Sequence, residues 1–363
     1  MTESTHDMAR TLGQQIAPVF QVDHVQIGGR AGAEIMMYGR LQTEPGSAYR
    51  HIRAAFDRYG YSAFLRHHQG YDVVVARPAP PQTSHRDRLA PLLFVLTIAS
   101  VLVSAAWWQT GDLGGALRQP WIGLPFATGL LGVLAAHEFG HWIVARRLGV
   151  AVSLPYFIPL PLLNLFGTMG AIMRMEELPR SRRQMLAIGA AGPLFGLVVG
   201  IPLLVIGLFS STVEASPLVP GVIQEGNSIL YALLKFVVFR RWLPGGGLDV
   251  FLHPVAFGAW GGLFVTALNL IPAGQLDGGH VARALLGEKT RWLNRAAVLF
   301  TAALSLVWSG WLLWAGVLLL FGQRSVAPLD DVTPLSPTEK ALAVGMLILF
   351  VLLFTPQPLV VLM

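Results

Sequence analysis

Ala135-Ala136-His137-Glu138-Phe139-Gly140-His141 lies inside an apolar run from Trp121 to Ala145 in which Glu138 is the one charged residue. The reading of this stretch decides the fold. On a helix His137 and His141 stand one turn apart and share a face, so both imidazoles can point at one ion. Glu138 adds a carboxylate able to take a proton from water. An H-E-x-x-H pattern of this kind supplies two nitrogen ligands and a general base for zinc-dependent hydrolysis. A glutamate in a run long enough to cross a bilayer is costly, and such groups mark function.

Working outward, the composition agrees with a membrane setting. Of 363 residues, 53% are hydrophobic and 13% charged, with a mean hydropathy of +0.56. These values point to a polytopic membrane protein rather than an ordinary soluble domain. Ten Trp and nineteen Phe suit interfacial anchoring. The chain has no Cys, so any metal must be held by His and carboxylates. A net charge of +6 reads as loop topology and gives no expectation of nucleic-acid binding. The opening MTESTHDMAR carries acids and leads into no apolar core, so neither a signal nor a transit peptide is expected.

Residues 1–85 read as a soluble α+β domain and 86–363 as a transmembrane domain. In the first, Gly32 to Leu41 reads as a strand. Glu44 to Tyr59 reads as a helix with Tyr49, Ile52, Phe56 and Tyr59 on one face. Ser62 to His67 and Tyr71 to Arg77 read as a hairpin turning at Gln69-Gly70. His51, His67 and His68 are expected to face solvent. Pro78 to Gln82 reads as a stiff linker, with Arg86-Asp87-Arg88 just before the membrane.

About six transmembrane helices are expected: Leu89 to Trp108, Trp121 to Ala145, Gln184 to Ser210, Pro254 to Ile271, Ala296 to Phe321 and Ala341 to Met363. In the third, Gly192-Pro193 and Gly196 give a close-packing face. Val150 to Met173 is as apolar as a span but holds Pro155, Pro159, Pro161, Gly167 and Gly170. Irregular backbone at membrane depth is tolerated where protein buries it or it lines a cavity. The segment therefore reads as a re-entrant, partly extended loop. Ser211 to Leu252 is a polar excursion. Within it Ile229, Leu230, Leu233, Leu234, Val237 and Val238 form the apolar face of a short surface helix, with Lys235 elsewhere. Most Lys and Arg near span ends fall on the side of the N-terminal domain, which predicts cytosolic termini; the excess of Arg over Lys suggests a GC-rich bacterial genome and so a bacterial inner membrane.

A catalytic zinc takes three protein ligands. The spans and the turn after the fourth hold two acids, Glu138 and Asp277. With Glu138 as base, Asp277 is the remaining carboxylate. If Val150 to Met173 is re-entrant, His141 and Asp277 lie near the same side; if it crosses, they lie most of a bilayer apart. A helix N-cap for Val281 to Leu286 is the alternative role for Asp277, and the H-E-x-x-H in the same chain favours the ligand. His280 stays unassigned. A metal-binding scaffold or transporter would be expected to show further polar residues along a path, which the other spans lack. A metalloprotease of another class could use a later Glu, of which Glu288 is the nearest.

At these residues the sequence resembles the site-2 protease family of intramembrane zinc metalloproteases. His137-Glu138-Phe139-Gly140-His141 is similar to the first family motif. Asn269-Leu270-Ile271-Pro272 with Leu276-Asp277-Gly278-Gly279 is similar to the second, and Phe166 to Gly170 resembles the membrane-embedded loop between them. The likeness covers about residues 120–290. It implies one zinc per chain on His137, His141 and Asp277, Glu138 as general base, and Asn269 holding the substrate carbonyl. It also implies a substrate-binding role for Gly167, Thr168, Met169 and Gly170, with the transmembrane helix of a membrane protein as substrate and the lipid bilayer as surroundings. The Ser211 to Leu252 excursion is too short for a PDZ domain, which departs from PDZ-gated members; the small N-terminal domain and the surface helix resemble the subgroup shared by some bacteria and chloroplasts.

Overall fold

Glu44 sets the start of the second helix in the N-terminal region: its carboxylate accepts hydrogen bonds from Gly46 N at 3.2 Å and Ser47 N at 3.0 Å, with Pro45 at the first helical position. In the computed structural model, which describes residues 2–29, 34–79, 88–215, 223–322 and 326–361, two compact units separate. The first contains α1 (Thr2–Ile16), β1 (Phe20–Gly28), β2 (Glu34–Leu41), α2 (Pro45–Asp57), β3 (Tyr61–His68) and β4 (Tyr71–Pro78). The strands form an antiparallel sheet in the order β1-β2-β4-β3. Their core includes Leu12, Ile16, Ile35, Met37, Ile52, Phe56 and Val74. Helix α1 and strand β1 carry no sequence signal strong enough to have been anticipated. The β3–β4 hairpin turns at Gln69-Gly70, both with positive φ, as a two-residue hairpin loop requires. Tyr59 falls beyond α2 and is exposed, whereas Tyr49, Ile52 and Phe56 are buried. His51, His67 and His68 are exposed as expected. The Pro78 to Gln82 linker and Arg86-Asp87-Arg88 lie largely outside the described residues.

This unit also takes in Leu178–Met185 and Ala327–Glu339. Leu65 N donates to Leu329 O at 2.9 Å and Asp331 N to Leu65 O at 3.2 Å, so the later segment continues the sheet beyond β3. Arg182 Nε donates to Asp331 Oδ1 at 2.9 Å.

The second unit is mainly helical. It contains α3 (Leu89–Thr110), α4 (Leu113–Arg118), α5 (Leu124–Arg147), β5 (Tyr156–Pro159), β6 (Thr168–Ile172), most of α6 (Arg182–Phe209), β7 (Thr212–Ala215), β8 (Ile223–Glu225) and α7 (Ile229–Phe239). There follow β9 (Leu248–Phe251), α8 (Pro254–Asn269), α9 (Asp277–Leu286), α10 (Thr290–Leu304), α11 (Gly310–Phe321), most of α12 (Pro337–Leu353) and β10 (Leu359–Val361). Among the described residues three helical stretches are long and apolar enough to cross a membrane: Leu89–Thr110, Pro120–Arg147 and Arg182–Phe209. Three, rather than the expected six, meet that measure. Helix α8 has 16 residues, about 24 Å at 1.5 Å per residue against ~30 Å of hydrocarbon. The predicted fifth span is broken between Leu304 and Gly310, where the Trp308 ring folds over Gly310. The predicted sixth starts earlier and ends at Leu353.

Val150 to Met173 is not a helix. Strands β5 and β6 pair antiparallel, Tyr156 with Ile172 and Pro159 with Thr168. Val152 bridges Met175 and Ser153 N donates to Arg174 O at 3.0 Å, so the segment leaves and returns at the same end of α5. Two serines one turn apart on α3 hold its tip. Ser100 Oγ donates to Gly167 O at 2.5 Å, and Ser104 Oγ accepts from Leu162 N at 3.0 Å. Helices α5 and α8 meet on glycine: a Cβ on Gly129 would overlap the Val255 carbonyl, and one on Gly258 the Phe126 carbonyl. This close crossing brings the His face of α5 beside the last turn of α8.

Candidate metal centre

The 3.6-residue period puts His137 and His141 on one buried face of α5. Opposite them Pro272 ends the chain's run out of α8, and Asp277 begins α9. The cap position of α9 belongs to Leu276, which gives no side-chain bond, so Asp277 is not spent on capping. Its Oδ2 lies 3.0 Å from His137 Nε2 and 3.2 Å from His141 Nε2. The two Nε2 atoms are 3.2 Å apart. Among the described residues these three form the one cluster of His and carboxylate ligand atoms suited to a metal.

The outer nitrogens settle which atoms face inward. His141 Nδ1 donates to Ile188 O at 2.7 Å. Thr266 Oγ1 donates to Gly262 O at 3.0 Å, so it accepts from His137 Nδ1 at 3.3 Å. With both Nδ1 atoms protonated, both Nε2 atoms present lone pairs, and they converge on a carboxylate oxygen that also presents lone pairs. Three acceptors at this spacing in a buried place call for a cation between them. Ligands at about 2.0–2.2 Å around a tetrahedral zinc stand roughly 3.3 Å apart, close to the observed edges. The residues fit a zinc ion.

Glu138 follows His137 directly and is buried. Asn269, the last residue of α8, places Nδ2 at 3.4 Å from His137 Nε2. The structure thus brings His137, Glu138, His141, Asn269 and Asp277 together. Glu288 belongs to the turn after α9 and is not in the cluster. Gly167 and Thr168 serve the hairpin itself: Gly167 packs on α3, and Thr168 Oγ1 donates to Ile158 O at 2.8 Å. Met169 is exposed, and the space beside Gly170 Cα is open. Gly278 and Gly279 do not approach the ligand atoms. A Cβ at either would overlap backbone of Leu270 or of Ala273 and Gly274, so they let α9 fold back on the turn after α8.

Two contributors escaped the sequence reading, the Ile188 carbonyl and Thr266, which orient the two imidazoles. Gly192, read as part of a close-packing face, leaves room for the His141 ring, because a Cβ there would overlap Nε2. Thr266 had a weak signal, standing one turn before Asn269 on the same helix. A backbone carbonyl has none.

A sequence model described as Peptidase family M50 matches residues 125–308. The probable zinc metalloprotease EGY2, chloroplastic, of Arabidopsis thaliana is 33% identical over 345 residues, covering 89% of this chain and 60% of the relative. The protein of the same name from Oryza sativa subsp. indica is 28% identical over 344 residues, covering 89% and 62%. The probable zinc metalloprotease EGY1, chloroplastic, of Arabidopsis thaliana is 32% identical over 240 residues, covering 64% and 43%. The chain spans about three fifths of the length of the two EGY2 relatives. No solved structure matches it.

Proposed function

Because the chain belongs to peptidase family M50, we propose that it is an intramembrane zinc metalloprotease, cleaving peptide bonds in or near transmembrane segments of membrane proteins. The observation that carries this reading is the convergence of one Asp277 oxygen with two His Nε2 atoms, beside a buried glutamate, the histidines and the glutamate lying on a helix apolar enough to span a membrane. His137, His141 and Asp277 hold one zinc, which supplies the Lewis acid for amide hydrolysis. Glu138 takes a proton from the attacking water and delivers it to the leaving amine. Asn269 directs its amide toward the carbonyl oxygen of the scissile bond. The short helices α8 and α10–α12 complete the membrane domain. The termini face the cytosol of a bacterial cell, with the active site near that side.

A transmembrane substrate hides its amides in helical hydrogen bonds and must unwind before it is cut. The hairpin offers a means: an extended substrate adds beside β6, whose Met169 and Gly170 face open space. Met169 is 64% exposed on β6, so Met169→Asp changes the presented face without the backbone strain that a side chain at Gly170, φ +89°, would bring. Cleavage of a single-span reporter is expected to fall strongly while zinc content holds. Full cleavage by this variant would remove the hairpin from substrate binding.

The direct test uses protein purified in detergent and a single-span reporter. Cleavage is expected to stop on treatment with a chelator and to return on addition of zinc. Cleavage that persists in the chelated, metal-free protein would sink the reading.

A further inference from the structure

A cavity of about 890 Å³ opens at the end of α5 remote from its histidines. Its apolar wall is Trp107 and Trp108 from the end of α3, Phe126 from the start of α5 and Phe257 from α8. Facing them, each on a different strand, are Glu214, Glu225 and Asp249. The carboxylates are held in place by neutral donors. Tyr231 O–H donates to Glu225 Oε1 at 2.8 Å, Gln224 Nε2 to Asp249 Oδ2 at 2.5 Å, and Thr212 Oγ1 to Glu214 Oε1 at 2.7 Å. The cation beside them is Lys235, wholly buried behind the wall. Its Nζ lies 3.7 Å from Asp249 Oδ1 and makes no hydrogen bond.

Three carboxylates against one ammonium leave this wall short of positive charge. Burial also holds the Glu225 carboxyl above the usual carboxylate range, and a cation arriving from the cavity would relieve that. The apolar half fixes the other requirement, since tryptophan and phenylalanine faces favour apolar groups and cations together. An occupant that satisfies both is a stretch of peptide with apolar residues and one Lys or Arg.

Position selects which peptide. Leu162 and Leu163 at the hairpin tip also line the cavity, and β6 begins just beyond that tip. Phe126 in the cavity and His137 in the metal centre are eleven residues apart on α5, roughly 17 Å along the helix or about five residues of extended chain. We propose that the cavity docks the segment of the substrate flanking its transmembrane helix, with a basic side chain against Glu214, Glu225 and Asp249, and so sets the register of cleavage. This rests on the protease reading above and adds an anchor to it.

The test measures binding of fluorescent single-span reporters to the full-length Glu138→Gln protein loaded with zinc, in phosphatidylcholine nanodiscs. A reporter with Lys about five residues from the cleaved bond is expected to bind about fivefold tighter than its Gln counterpart. Glu214 is exposed and Asp249 is not, so Glu214→Lys is the variant that leaves the buried pair intact. It brings two carboxylates against two ammoniums, so it should erase the preference for the Lys reporter while binding of the Gln reporter holds, which a folding defect would not leave intact. Equal binding of Lys, Gln and Glu reporters to both proteins would overturn the proposal. So would Lys-dependent binding that phosphatidylethanolamine, added to the discs, abolishes, because the cavity would then be a lipid site. The same reporters, incubated with protein that retains Glu138, separate the two readings. Charge-dependent binding without zinc-dependent cleavage sinks the protease reading and keeps the anchor; cleavage without charge dependence does the reverse.

Discussion

Asp277→Ala protein, purified in detergent, is expected to carry almost no zinc where the wild type carries about one ion per chain, and to cleave no reporter. The carboxylate is the single group that faces both histidine Nε2 atoms, at 3.0 and 3.2 Å. Without it two neutral imidazoles remain, below the three protein ligands of a catalytic zinc site. Glu138→Gln should behave differently. Glu138 is not among the three ligand groups, so zinc content should match the wild type, while cleavage falls by about 10²–10⁴-fold with loss of the general base. The pair separates holding the metal from moving the proton. Zinc retained by Asp277→Ala would strip Asp277 of its role, and zinc lost from Glu138→Gln would make the glutamate a ligand.

Much of this centre was legible because its residues are chemically out of place. His137, Glu138 and His141 interrupt an apolar run, and Asp277 is the acid left over once Glu138 is assigned. The hairpin was legible for a related reason: Pro155, Pro159 and Pro161 deny a helix to residues apolar enough to form one. Long-range pairing was not legible. Nothing in Leu329 or Asp331 announces that their backbone bonds to Leu65, more than 260 residues earlier. Helix α7 shows a subtler limit. Its leucines and valines mark the apolar face of a surface helix, and Ile229, Leu233 and Val237 are exposed as that reading expects; what it did not show is that Tyr231 and Lys235 are buried. Carboxylates on β8 and β9 take Tyr231 and Lys235 inward, and in a membrane the exposed leucine side has lipid to face. Hydropathy alone does not show where a helix stops, so the shortness of α8 and α11 was not legible.

Gly192→Ala is expected to abolish zinc binding as completely as the loss of a ligand, although glycine has no donor atom. Helix α6 passes α5 closely enough that a Cα hydrogen of Gly192 faces the His141 ring, and a methyl there would overlap Nε2, the atom turned toward the metal. Neither side can yield. His141 is pinned from behind by the Nδ1–H donated to Ile188 O at 2.7 Å, on the same helix as Gly192. The two helices are also locked by Gly140, where a Cβ would press on Phe195 and the Ala191 carbonyl. The ring must therefore swing out, giving up both its hydrogen bond and its place as ligand. Gly200→Ala is the matched control. It lies two turns further along α6, and its methyl would press on side chains alone, Leu263 Cδ2 at 2.7 Å and Val133 Cγ2 at 3.2 Å, and on neither backbone nor a metal-centre residue. Gly200→Ala should keep near wild-type zinc and cleavage. Zinc measured by atomic emission on both folded proteins decides the matter, because a general weakness of α6 would lower the two together. A Gly192→Ala protein with its full complement of zinc would mean that His141 is not held where the geometry places it.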